Sequence, residues 1–166
     1  IIKQFIEKNS TKLVLESGQI IYSDLIVGSD GYPSSSAKEV GIQHINHNYN
    51  QSSIVGIFKH EIPHENEAVQ IFLPSGPLAI LPLSGNRSSF VWTNETIEAI
   101  RKYNLNELLF LKELNKAFQN RRGQIQLESK KSKFPISLTI PKKVTKERFV
   151  IIGDTAHKIH PIAGQG

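Results

Sequence analysis

Two short segments, one near each end of the chain, constrain the fold more than anything else in the sequence: DLIVGSDG at residues 24–31 and FVIIGDTAH at residues 149–157. Each is a brief continuous apolar run that stops at glycine and aspartate. Such a run, without polar alternation, reads as a strand buried on both faces, as in a parallel sheet. The two segments are therefore expected to come together in one α/β layer. In open α/β sheets, ligands bind in the crevice beyond the carboxyl ends of the strands. Glycine there lets the backbone approach the ligand, and a carboxylate can accept hydrogen bonds from ribose hydroxyls. The ligand class this predicts is a nucleotide. Strand–Gly–Asp turns also arise for purely architectural reasons, and either segment taken singly fits that reading equally well.

The text between the two segments has a different texture. TKLVLESGQIIY reads as a hairpin turning at Ser17-Gly18, and SSSAKEVGI as a helix capped by a serine among Ser34 to Ser36. From about Asn46, SSIVGIFKHEI, EAVQIFLPSG, PLAILPLSG and RSSFVWTNE follow at short intervals with Gly, Pro, Asn and Ser between them, which predicts an antiparallel meander. ETIEAIRKYNLNELLFLKELNKAFQNRRG then shifts to helical spacing, with an apolar stripe of Leu105, Leu108, Leu109, Leu111, Leu114 and Phe118. A strand around KFPISLTIP and the basic linker KKVTKER lead back to FVIIGD. The expected organisation is residues 1–45 and 142–166 as parts of one domain, with 46–141 as an inserted antiparallel-sheet domain. The fold class is α/β (α+β).

Composition narrows the function. With 166 residues, 39% of them hydrophobic, the chain can bury one substantial core or two small ones. No apolar run approaches the roughly 18 residues of a membrane helix, and no secretory leader opens the sequence. The absence of cysteine rules out disulfides and thiolate metal sites and fits a reducing compartment, so cytoplasm is expected. There is no methionine and residue 1 is isoleucine, so a fragment is expected. The net charge of +5 comes from scattered basic residues, enriched only from Lys130 to Arg148. The few aromatics do not interleave with them as a base-stacking platform would, which argues for a solvated basic face and against nucleic acid. Asp154, His157 and His160 fall at intervals of three, as metal ligands on a helix would. Pro161, however, restricts His160 away from helical geometry, and no metal site is expected.

The chain resembles a known family. GSDGYPSSSAK resembles the Asp-Gly motif, and GDTAHKIHPIAGQG the Gly-Asp motif, of the FAD-dependent aromatic hydroxylases, the single-component flavoprotein monooxygenases. With QSSIVGIFKHE, FLPSGPLAILPL and SSFVWT, the wording is most similar to the hydroxylases of ubiquinone biosynthesis, over essentially the whole chain. The resemblance implies that 1–45 and 142–166 form an incomplete Rossmann-like FAD-binding domain and that 46–141 is the substrate domain. Asp154 would bind the ribityl or ribose hydroxyls of FAD, with Gly153 allowing close approach. Pro161, Gly164, Gln165 and Gly166 would lie along the isoalloxazine ring, their backbone N–H groups near its N1 and C2 carbonyl, where the reduced ring is anionic. Asp30 and Gly31 would lie near the FAD pyrophosphate and the path of the nicotinamide cofactor. The family's usual basic residue seven positions after the motif's Asp is replaced here by Ala37, with Lys38 adjacent.

The implied reaction is hydride transfer from NAD(P)H to FAD, addition of O₂, and attack of an electron-rich ring on the flavin C4a-hydroperoxide, chemistry that the flavin carries. Phe72 and Trp92 are the candidates for lining the substrate site, with core packing as the competing role. The implied substrate is a polyprenylated phenol, met by peripheral contact at the inner face of the membrane or within a biosynthetic complex. The family's opening Gly-x-Gly-x-x-Gly turn is absent, so the fragment is expected to be inactive alone. The competing readings are a reductase or epoxidase of the same superfamily acting on a prenyl lipid, and a non-catalytic binding module.

Overall fold

A computed structural model describes residues 3–7 and 9–160. The chain opens with β1 (Lys3–Ile6), β2 (Thr11–Val14), β3 (Ile20–Ser23), β4 (Ile26–Gly28) and the short helix α1 (Ser35–Glu39). There follow the long strand β5 (His44–His60), then β6 (Val69–Leu73), β7 (Gly76–Leu83) and β8 (Arg87–Glu95). Helices α2 (Thr96–Asn104) and α3 (Glu107–Ala117) come next. Last are β9 (Ile125–Leu127), β10 (Ser132–Pro141), β11 (Thr145–Lys146), β12 (Phe149–Ile151) and a 3-10 turn, Gly153–Thr155. The chain divides into two compact units, one holding residues up to His47 with Ser137–His160, the other Asn48–Ile136. Because β5 and β10 run from one unit into the other, both divisions fall inside or next to a strand.

In the first unit, β1, β2 and β3 form an antiparallel sheet whose second hairpin turns at Ser17-Gly18, where the sequence places it. A second sheet has the order β11-β12-β4, and β12 pairs with β4 in parallel, Phe149 against Ile26 and Ile151 against Gly28. Ile26, Phe149 and Ile151 pack with Ala37, Ile42 and Ala156 into this unit's core. Burial of both strand faces does not hold. Leu25, Val27 and Ile152 are exposed, so each strand alternates and only one face is covered, on which Ala37 of α1 and Ile42 pack. Gly28 is required by close approach. A methyl group there would stand 2.8 Å from Ser36 Oγ and 2.9 Å from Phe149 Cζ.

In the second unit a sheet of order β10-β5-β8-β7-β6, with β9 beside β5, packs its inner face against α2 and α3. The consecutive strands β6, β7 and β8 are antiparallel neighbours, as a meander requires, but β5 joins β8 instead of β6. The helical segment is two helices. Leu105 is extended, and Asn106 starts α3 by accepting a hydrogen bond from the Leu109 amide at 2.9 Å, a side-chain cap that ends one helix and begins the next. The break rotates the apolar stripe. Phe110, Leu114 and Phe118 are buried against Phe58, Phe90 and Trp92, while Leu108 and Leu109 face outward. Each such buried side chain contributes roughly 1.5–3 kcal/mol by transfer from water.

Candidate functional site

Since β4 and β12 run parallel, their carboxyl ends lie on the same side, and the two Gly-Asp turns emerge next to one another. The Ile152 amide continues the pairing to Gly28 O at 3.0 Å. Both aspartates thus stand at one sheet edge. Their environments differ sharply.

Asp30 is exposed but held by hydrogen bonds. Its Oδ1 accepts from Ser34 Oγ and Ser36 Oγ, each at 2.7 Å, and from Thr155 Oγ1 at 3.2 Å, while Oδ2 accepts from the Ser36 amide at 3.0 Å. Ser34 in turn caps α1, accepting from the Ala37 amide at 2.9 Å. Burial alone would raise the Asp30 pKa. The Ser36 amide and the two serine hydroxyls outweigh it and hold the carboxyl well below the usual carboxylate range. An anion with so many donors is a structural hub, with Oδ1 taking the three hydroxyl donors and Oδ2 the Ser36 amide.

Asp154 differs in its partners. It is exposed, and no hydrogen bond or ion pair engages its carboxylate among the described residues. Gly153, just before it, has φ +59°, a conformation glycine adopts without strain, and an added Cβ would meet nothing within 4 Å. Among the described residues, open space therefore lies against the backbone beside an unengaged carboxylate. Gly31 is likewise open on its outer side.

A cavity of about 460 Å³ adjoins this edge, lined by residues that include Gln4, Val27, Gly28, Asp30 and Ser36. Gln4 is buried, its Nε2 donating to Ser36 O at 2.6 Å and its Oε1 lacking a partner among the described residues. That oxygen is an acceptor available to a ligand donor. A larger cavity, about 520 Å³, lies in the other unit beside Tyr103, Glu107, Lys130 and Lys131. Lys131 there donates to Leu105 O at 2.8 Å and sits 4.4 Å from the Phe110 ring centroid, which accounts for it structurally.

The two substrate-lining candidates part company. Trp92 is 2% exposed, in register with Ile54 and Leu78, packed near Phe110 and covered by the Lys102 ammonium 3.8 Å from its ring centroid. It belongs to the core, because its position on β8 alternates onto the helix-covered face. Phe72 is 74% exposed on the other face of the sheet. The register puts Pro77, Ala79, Val91 and Val55 on that face with it. Pro161, Gly164, Gln165 and Gly166 lie outside the described residues.

Thr155, His44, Ser34 and Ser36 were not singled out from sequence as site residues. The serines carried a signal as helix caps, and Thr155 follows Asp154 directly. Nothing local marks His44, whose Nε2 donates to Thr155 O at 3.0 Å.

The architecture is that of solved flavoproteins. It matches the crystal structure of PqsL, a probable FAD-dependent monooxygenase from Pseudomonas aeruginosa, with a TM-score of 0.74 at 20% identity, over 95% of this chain and 45% of that one. The FAD binding domain family matches residues 7–166, and the chain belongs to that family. It is 36% identical over 152 residues to the ubiquinone hydroxylase UbiL of Rhodospirillum rubrum, a match covering 92% of this chain and 35% of the relative. It is 31% identical over 189 residues to the mitochondrial ubiquinone biosynthesis monooxygenase COQ6 of Danio rerio, covering 93% of this chain and 39% of the relative. The chain thus spans less than half the length of each of these relatives.

The described residues fit FAD. A free carboxylate at a strand end suits a polyhydroxyl chain, and the empty space where Gly153 and Gly31 would carry Cβ atoms admits a ligand against the backbone.

Proposed function

We propose that this chain is part of an FAD-dependent monooxygenase that hydroxylates an aromatic ring, with a polyprenylated phenol of ubiquinone biosynthesis as substrate. The observation that carries the reading is Asp154, exposed and, among the described residues, unengaged behind an open Gly153 at the end of a parallel strand pair. The names of the relatives support the pathway. NAD(P)H is the proposed reductant and O₂ the co-substrate. Bound FAD supplies hydride acceptance and oxygen activation.

The chain's own residues bind and orient. The Asp154 carboxylate accepts hydrogen bonds from ribityl or ribose hydroxyls, and Gly153 and Gly31 leave the backbone bare for close approach. Pro161, Gly164, Gln165 and Gly166 are proposed to line the ring of the cofactor. The sheet face bearing Phe72 is proposed as the substrate-facing surface of its unit, where apolar side chains exclude water from the ring being oxidised.

No helix of the described residues is long and apolar enough to cross a membrane. A cytoplasmic enzyme acting on a prenylated lipid meets it at the inner face of the membrane, alone or within a biosynthetic complex. The basic residues between Lys130 and Arg148 favour that encounter, each worth about 1 kcal/mol beside an anionic leaflet. The complete enzyme should sediment with anionic vesicles at low salt and leave them at high salt.

The deciding experiment supplies prenylphenol, NAD(P)H and ¹⁸O₂ to the complete enzyme. One labelled oxygen in the product is expected. A product that forms without label excludes monooxygenation and leaves a reductase of the same superfamily.

A further inference from the structure

Thr155 is fully buried, yet both of its neighbours toward the strand, Asp154 and Gly153, are exposed. Its hydroxyl makes contacts that reach across 124 positions of sequence. Oγ1 accepts from the Gly31 amide at 2.8 Å, and its proton lies between Asp30 Oδ1 and Gly31 O, both at 3.2 Å. Its carbonyl accepts from His44 Nε2 at 3.0 Å, which assigns that nitrogen the proton. Tyr32 stands edge-on to the His44 ring at 5.8 Å. The residue is held through side chain and main chain together.

We propose that Thr155 is the positioning residue of the flavin site: its hydroxyl, fixed between the Gly31 amide and the Asp30 carboxylate, sets where the neighbouring Asp154 carboxylate stands. Asp30 then acts on the Asp154 carboxylate through Thr155. The physical reason is division of labour between adjacent residues of one tight turn. A free carboxylate on an exposed 3-10 turn has no contact of its own to orient it, whereas a buried hydroxyl one residue later has a donor and two acceptors in fixed directions. Hydrogen bonding to the Asp30 anion makes the lock stronger than a neutral pair would be.

The proposal rests on the flavin reading of this edge, and the test separates the two. In the complete enzyme, FAD affinity is measured by flavin fluorescence on apoprotein for Thr155→Val, Thr155→Ser, Asp154→Ala and the double variant Asp154→Ala with Thr155→Val. Thr155→Val, which keeps shape and loses the hydroxyl, should weaken FAD about tenfold, the equivalent of one hydrogen bond. Thr155→Ser should restore affinity. In the Asp154→Ala background, Thr155→Val should cost nothing further, because its effect passes through that carboxylate. Hydrogen exchange at the Gly31 amide should quicken in Thr155→Val and not in Thr155→Ser.

Additive losses in the double variant, or wild-type affinity in Thr155→Val, overturn the proposal. If Asp154→Ala itself leaves FAD binding unchanged, the flavin reading of this edge falls, and the proposal with it. Should Thr155→Val not fold, Thr155→Ala replaces it in the same cycle with the same expectations.

Discussion

At the scale of single residues, the site depends on one close approach and one charge. A methyl group at Gly28 would press on Ser36 Oγ and on the Phe149 ring, so Gly28→Ala must move either a donor of Asp30 or a core aromatic. The expected loss is about 1–3 kcal/mol, as for overpacking of a tight core. Gly31→Ala meets no atom within 4 Å and pays only for its φ of +76°, about 1 kcal/mol. Urea midpoints of the two variants should therefore fall in that order. Asp30 adds a pH dependence. Its folded pKa lies below the unfolded value of 3.8, so its stabilising contribution is complete above that pH and is lost as the pH falls further. Asp30→Asn should flatten the acid limb of stability against pH.

At the scale of elements, capping divides one apolar helical text into two helices. Asn106 holds the start of α3 through the Leu109 amide, and Asn106→Ala should cost about 1 kcal/mol by urea denaturation. Asn104→Ala, at the end of α2 and without that contact, should change the midpoint by less than half as much. The two helices are tied on their outer side by Arg101, which donates to Glu98 and Glu113. Such exposed pairs contribute little, and the buried row Phe110, Leu114 and Phe118 does most to hold the helices on the sheet. Phe110→Ala should cost about 3–5 kcal/mol, the range for an aromatic removed from a packed core.

At the scale of the molecule, the sheet-and-helix unit carries its own reporter. Trp92 is the sole tryptophan and lies in the core of the sheet-and-helix unit, so its emission follows that unit's unfolding. The same unit buries His60, whose Nδ1 donates to Ile62 O at 2.9 Å and whose Nε2 accepts from Ser88 Oγ at 3.0 Å, a neutral tautomer fixed at both nitrogens. Burial pushes its pKa below 6.5, only partly offset by backbone hydrogen bonds, with His64 and Arg122 acting in the same direction as burial. The sign follows. Its stabilising contribution is complete above pH 6.5 and declines as the pH falls below it, because the unfolded chain takes up the proton first. The urea midpoint read from tryptophan emission should drop as the pH falls below about 6.5, and His60→Gln should remove much of that slope.

Local chemistry makes much of this legible in the sequence. The hairpin at Ser17-Gly18, the serine cap of α1, the strands of the central sheet and the two Gly-Asp turns are each written in a few adjacent residues, as periodicity, turn formers or a side chain within reach of its own backbone. The adjacency of the two turns was also expected, and the parallel pairing of Ile26 with Phe149 realises it. Other features have no local signature, since they depend on which distant surface a segment meets. An apolar run does not say whether one face or both will be covered, and Val27 is exposed. Alternation on β8 does not say which face the helices take, and that choice put Trp92 in the core and Phe72 outside. The serine and threonine hydroxyls around Asp30 look like any polar residues in a turn until pairing across 124 positions brings Thr155 to Gly31, which leaves Asp30 engaged while, among the described residues, Asp154 has no partner.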